Sequence, residues 1–309
     1  MKKKLLIAGG AILLPLLGVV VVSNVDKMDN VERRQIIEQP LVVNSEFKNA
    51  RPVTIEGYRG AAMEPFLSRD GEYLFFNNSN DPRTNTNLFY AKRVNNTTFA
   101  YAGEVGGVNT DKLEGVVSMD NSDTVYFVST RSYEDSFNTL YKGVWSDGAV
   151  RDVSLVEGVS REKPWWLNMD AEISPDGSRL YFVDNKFGSN NIPEVSDIFV
   201  ATKKGDGSFT KTPDSDEVFA NVNNGDLNYA PAISTDGLEL YFTRAKLSLG
   251  KVQIYVAKRT SPSGVFGVPE LVGAAEGFVE GPTLSLDGKR MYYHKKLGGD
   301  SYGIFMVSR

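Results

Sequence analysis

The sequence predicts an all-β protein, a five-bladed β-propeller with four-stranded antiparallel blades, and three observations carry that prediction. One motif recurs five times: an apolar strand, then Ser-x-Asp-Gly or a near relative, then a second strand rich in Tyr and Phe. Its anchor serines, Ser68, Ser118, Ser174, Ser234 and Ser285, are spaced by 50, 56, 60 and 51 residues, a step that suits one propeller blade. The fifth copy ends at Arg309, one strand short of the others, while a strand-like stretch at residues 47–57 stands ahead of the first motif.

In chain order, Met1-Lys2-Lys3-Lys4 precedes an uncharged run from Leu5 to Ser23, about the length that crosses a bilayer as a helix. Residues 1–23 therefore read as a signal anchor, with a cleaved signal peptide as the alternative because Val21 and Ser23 suit a cleavage site. The basic flank keeps that end in the cytoplasm. The expected location is the cell membrane with the propeller periplasmic or extracellular, or secretion if the leader is cleaved. Residues 24–46 are polar, lack the repeat and read as a linker or stalk.

Residues 47–309 form the predicted propeller. The stretch at 47–57 begins 21 residues ahead of Ser68, close to the 19 by which Phe99 and Phe266 precede their own serines, so it is expected to supply the outer strand of the last blade. That closure removes an open sheet edge. In each motif the Asp and Gly supply the local hydrogen bonds and positive φ of a tight hairpin. Third strands follow at Leu88-Phe89-Tyr90-Ala91, Leu140-Tyr141, Ile198-Phe199-Val200-Ala201, Ile254-Tyr255-Val256-Ala257 and Ile304-Phe305-Met306-Val307. Fourth strands are expected after Phe99, Val150, Phe209 and Phe266.

The phrases Ile173-Ser174-Pro175-Asp176-Gly177-Ser178-Arg179-Leu180-Tyr181-Phe182 and Asp197-Ile198-Phe199-Val200-Ala201 resemble the WD40-like repeat of TolB-type propellers of the bacterial envelope. The resemblance covers residues 47–309, and copy two departs from it with Asn121 in place of Gly. It implies the repeat fold and an envelope setting. TolB itself joins a six-bladed ring to an α/β domain that has no counterpart here, so the resemblance is to the repeat and not to TolB.

Composition narrows the function. A net charge of −5 gives no basic surface for nucleic acid. With no Cys, a disulfide and a thiolate metal site are excluded, and with one His zinc is not expected. No cofactor is expected. Calcium takes oxygen ligands, but the acidic stretches at 206–208, 214–217 and 223–226 lack EF-hand spacing and read as turns.

The site is sought on the face away from the hairpins. Residues four or five before each Ser include Glu64, Glu114, Asp170 and Glu280, and the far ends of the second strands carry Asn78, Arg131, Lys186, Arg244 and Lys295. First strands line a propeller axis, so four carboxylates should ring one mouth of the channel, with basic groups outside them. Either these charges pair across blades as structure, or they form a polar pocket for a sugar, a cation or a peptide terminus. Trp165 and Trp166 enter the third blade on the same face, with one expected buried and the other exposed. The candidate ligand-binding residues are therefore Glu64, Glu114, Asp170, Glu280, Trp165, Trp166, Arg131 and Arg244.

No catalytic set is recognisable. His294, ending a second strand, reads as a surface or inter-blade residue, and without another histidine a nucleophilic triad has no base. The expected function is a membrane-tethered, extracytoplasmic module that binds an envelope protein or a carbohydrate. The alternative is a glycoside hydrolase-like enzyme using two of the mouth carboxylates.

Overall fold

The computed structural model describes residues 41–81, 85–188 and 193–309. The predicted leader and most of the predicted stalk lie outside these residues. Five antiparallel sheets stand around one axis. Their innermost strands, Met63–Leu67, Glu114–Met119, Ala171–Ile173, Leu227–Ile233 and Val279–Leu284, touch in sequence, and the last meets the first. The ring is thus closed at five blades.

The apolar core lies between the blades. Five clusters fill the five seams, with Phe75, Phe127 and Trp145 between blades 1 and 2 and Phe99 and Tyr292 between blades 5 and 1. This follows from the strand pattern, since second and third strands are apolar on both faces and each face must meet a neighbouring blade. The other three seams carry aromatic residues of the same kind, such as Tyr126 with Phe209, Tyr181 with Phe219, and Phe47 with Tyr241.

The N-terminal stretch does more than close the last blade. Lys48–Pro52 pairs antiparallel with Ser301–Ser308, as the outer strand of blade 5. Val43–Asn44 joins the outer edge of blade 4 in parallel, and Thr54–Glu56 joins that of blade 1. One short segment therefore stitches three blades. The stalk boundary expected at residue 46 moves accordingly: Val43 and Asn44 belong to a sheet, and Glu46 pairs with Lys258 and Arg309.

The Ser-x-Asp-Gly turns close as expected in four copies. Ser68, Ser174, Ser234 and Ser285 each donate to their Asp at 2.5–2.6 Å, and the glycines sit at φ 65–76°. Copy two differs because its first strand runs on through Ser118 to Met119 and its turn is one residue shorter. There Asp123 takes the left-handed conformation, and the Ser118 hydroxyl turns away to Glu172.

Candidate functional site

Every innermost strand carries one residue more than the strand it pairs with, just before its Ser. Such a bulge re-aims side chains. In blades 1, 4 and 5 the residue four before Ser adopts positive φ, at Glu64 (46°), Ala230 (48°) and Gly281 (62°). A side chain at Gly281 would be strained, and its Cβ would come within 2.5 Å of Glu64 Oε2. Pro65, Pro231 and Pro282 follow these three positions, where an interrupted ladder tolerates a missing N–H.

The bulges bring Glu64, Asp170 and Glu280 to the axis. Glu64 and Asp170 line a cavity of about 20 Å³, room for one water, and the Glu280 charge acts on both. The His294 ring joins blade 5 to blade 1. Its Nδ1 accepts from the Glu64 backbone N–H at 3.1 Å, so the proton belongs on Nε2, which donates to Glu280 Oε2 at 3.2 Å. Tyr229 donates to Glu280 Oε1 at 2.5 Å, and Asn80 donates to Glu64 Oε1 at 2.8 Å. Asp170 is served least: its Oδ2 is buried without a hydrogen-bond partner.

The electrostatics follow from that shortage. Burial, reinforced by the Glu64 charge, drives the Asp170 pKa well above the ordinary carboxylate value. Burial raises Glu64 as well, with His294 opposing and Glu280 adding to the rise. For His294, burial pushes the pKa down, but the carboxylates of Glu64 and Glu280 outweigh it and raise it. Tyr229, buried beside Glu280, is raised well above the usual phenol value.

Glu114 does not join this cluster. In blade 2 the bulge comes at Val116, two residues later than in blade 1, so Val116 takes the axial place that Glu64 holds and Glu114 lies two residues farther from the turn. Glu114 consequently accepts from Thr110 at 2.7 Å and Ser129 at 2.7 Å, with Arg131 at 3.4 Å. Arg131 also bonds the Val108 carbonyl. Arg244 meets none of the four acids; its Nε donates to Asn228 at 2.8 Å and it bonds the Val222 carbonyl at 2.7 Å. The pairing expected across blades is thus made within blades 2 and 4.

Trp166 lies in the short strand Trp166–Leu167 ahead of the innermost strand of blade 3, paired with Lys186 at the far end of the second strand, and the Arg161 guanidinium lies 4.1 Å from its ring centroid. Trp165 is 38% exposed at φ 69°. His294 is fully buried and inter-blade, which corrects the surface alternative.

Sequence reasoning missed the other end of the channel. Arg69 reaches across the axis from blade 1 to Glu172 of blade 3 at 2.8 Å, and Ser118 of blade 2 donates to the same carboxylate at 2.6 Å. Arg69 also bonds the Met119 and Ile173 carbonyls at 2.7 Å, so three blades meet at one buried plug. The signal was present in the repeats. Arg69 is the only charged residue directly after an anchor Ser, and Glu172 the only one two before.

Among the described residues, no group of three or more His, Asp or Glu side chains is arranged to hold a metal ion. Asp206 accepts from Ser208, as a turn residue would.

No protein-family model and no curated protein sequence matches the chain. Solved structures do. A protein described as a glycoside hydrolase overlaps at a TM-score of 0.60 with 11% identity, over 90% of this chain and 96% of that one. The GH62 α-L-arabinofuranosidase catalytic domain of Coprinopsis cinerea overlaps at 0.54 with 10% identity, over 85% and 96%. TolB from Acinetobacter baumannii is looser, at 0.44 with 15% identity over 81% and 55%, and adds nothing to the argument. These likenesses show the propeller fold and no more.

Proposed function

We propose that this chain is a membrane-tethered, extracytoplasmic propeller that binds carbohydrate on its acid-bearing face, with Trp165 at the contact. One observation carries the reading: an exposed indole, held at φ 69°, stands on the face whose central carboxylates border room for only one water. Such a ring can stack on a sugar from outside. The acids set the polarity of the face, and the tether assigns the uncharged run Leu5 to Ser23 to a bilayer.

A panel of envelope polysaccharides offered to the full chain tests this. Trp165→Ala is expected to weaken the retained polysaccharide by about five- to tenfold, the loss of one stacking contact. Equal binding by that variant, or no bound polysaccharide, overturns the reading.

Hydrolysis is the second reading, and a specific observation favours it. Asp170 and Glu64 both hold raised pKa values in one buried cluster, the environment that keeps a general acid protonated. The glycoside hydrolases of like fold add only a prior. Reducing ends released by the chain and lost in Asp170→Asn and Glu64→Gln would replace binding with hydrolysis.

A further inference from the structure

The hairpin face carries a second, unrelated feature at the seam between blades 5 and 1. An arginine stands at the same register in three blades, within the third strand as Arg93 and directly after it as Arg259 and Arg309. Each comes directly after the residue paired with Tyr73, Glu239 or Arg290, three positions beyond the turn Asp. Two of the three close their seams in the same way. Arg259 donates to the Gly237 carbonyl at 2.8 Å and to Tyr181 of the preceding blade at 3.0 Å, lying 4.2 Å over Phe266. Arg309 donates to the Gly288 carbonyl at 2.8 Å and to Tyr241 of the preceding blade at 3.2 Å, lying 4.9 Å over Phe47.

Arg93 does neither. Its guanidinium donates to Asn96 Oδ1 at 2.7 Å and stands 3.9 Å from Glu72. Tyr292, which matches Tyr181 and Tyr241, donates to the Asn96 carbonyl at 2.9 Å instead of meeting the arginine. Where the other two seams are filled, this one holds a cavity of about 370 Å³. That volume falls within the range of small-molecule sites.

Its lining has a definite chemistry. Arg93 and Arg290 both border it, and both charges act on the Tyr292 hydroxyl between them. Two carboxylates also border it, but each is already engaged. Asp70 accepts from Ser68 at 2.5 Å and from the Glu72 N–H at 3.0 Å. Asp287 accepts from Ser285 at 2.6 Å and from the Lys289 N–H at 3.1 Å, with Arg290 at 3.3 Å. Leu67 and the half-exposed Leu286 add apolar wall. Guanidinium groups present N–H pairs that match a carboxylate in plane, which a neutral ligand cannot use.

We propose that the blade 5–blade 1 seam is a binding site for a small organic carboxylate, held by Arg93 and Arg290 with its apolar part against Leu286 and Tyr292. It lies on the face opposite Trp165 and stands independently of the carbohydrate reading. The ligand takes the place that the Arg259 and Arg309 side chains fill at their own seams.

Benzoate is the probe, with benzyl alcohol and inorganic phosphate as comparisons, and amide chemical shifts of the full chain are the readout. Benzoate at millimolar concentration should move Gly71, Asn96 and Leu286 and leave Trp165 and Gly237 in place. The Arg93→Ala/Arg290→Ala double variant should weaken it by at least about tenfold, the loss of two charge-assisted contacts. Both side chains are partly exposed, at 35% and 26%, so the fold should tolerate their removal. Arg93→Lys/Arg290→Lys, which keeps the charges and loses the forks, should bind weakly too. Equal binding of benzyl alcohol, tighter binding of phosphate, shifts indifferent to the arginines, or no shifts at all would each overturn the proposal.

Discussion

The hairpin end of the channel and its mouth both bury carboxylates, and they satisfy them to different degrees. At the hairpin end, Glu172 receives Arg69 on one oxygen and Ser118 on the other. At the mouth, Glu64, Asp170 and Glu280 share one histidine, one tyrosine and one asparagine, and Asp170 Oδ2 receives nothing. Burial raises the pKa of Glu172 too, but Arg69 and Ser118 pull against it, whereas Asp170 has the Glu64 charge added to its burial. A fold that needed only to be stable would treat both ends alike. The plug is thus a satisfied ion pair, and the proposed binding and hydrolytic readings both rest on the shortage of partners at the mouth.

The largest effect should come from breaking the plug. Arg69→Ala leaves Glu172 buried without its cation and should cost about 3–5 kcal/mol, read as a lower urea midpoint at unchanged slope. Replacing both partners, as Arg69→Met/Glu172→Leu, should recover most of that loss, because the penalty belongs to the orphaned charge and not to the pair. A double variant no more stable than Arg69→Ala would mean that the bonds from Arg69 to Met119 and Ile173, and not the ion pair, hold the three blades.

Ser118→Ala should cost about 2 kcal/mol, since its hydroxyl donates to a buried carboxylate. Ser234→Ala, at the matching position of a turn of ordinary length, should cost about 1 kcal/mol, because Asp236 keeps the Leu238 N–H and faces solvent. Equal costs would erase the distinction between copy two and the other four.

Why the plug and the mouth were unequally legible is a matter of bulges. The repeat alone gives the number of blades, the hairpin turns and the missing strand, because those depend on period and turn chemistry. Whether Glu114 or Val116 takes the axial position depends on a two-residue displacement of the bulge, and composition does not reveal it. Pro65, Pro231 and Pro282 marked three of the bulges, while Val117 and Ala171 at the matching positions marked nothing. The acids were therefore found as a set of four, of which the structure joins three. Arg69 and Glu172 were visible only by comparing copies column by column.

The smallest effect is the sharpest test, because its sign opposes the others. An acid whose pKa is raised on folding stabilises the protein below its unfolded value and loses that contribution as pH rises through the folded value. Asp170 is such an acid. Asp170→Asn should therefore leave stability nearly unchanged at about pH 4, where the native carboxyl is protonated already. At about pH 8, where the native protein must keep that carboxyl neutral or bear its charge, the variant should be more stable by about 1 kcal/mol. The turn aspartates Asp176, Asp236 and Asp287, whose pKa values are lowered on folding, contribute in the other sense: their stabilisation is lost as pH falls, in both proteins equally. Chemical denaturation at the two pH values isolates the difference. A variant destabilised to the same extent at both would show that Asp170 is held as firmly as Glu172, and the contrast between the two ends would fail.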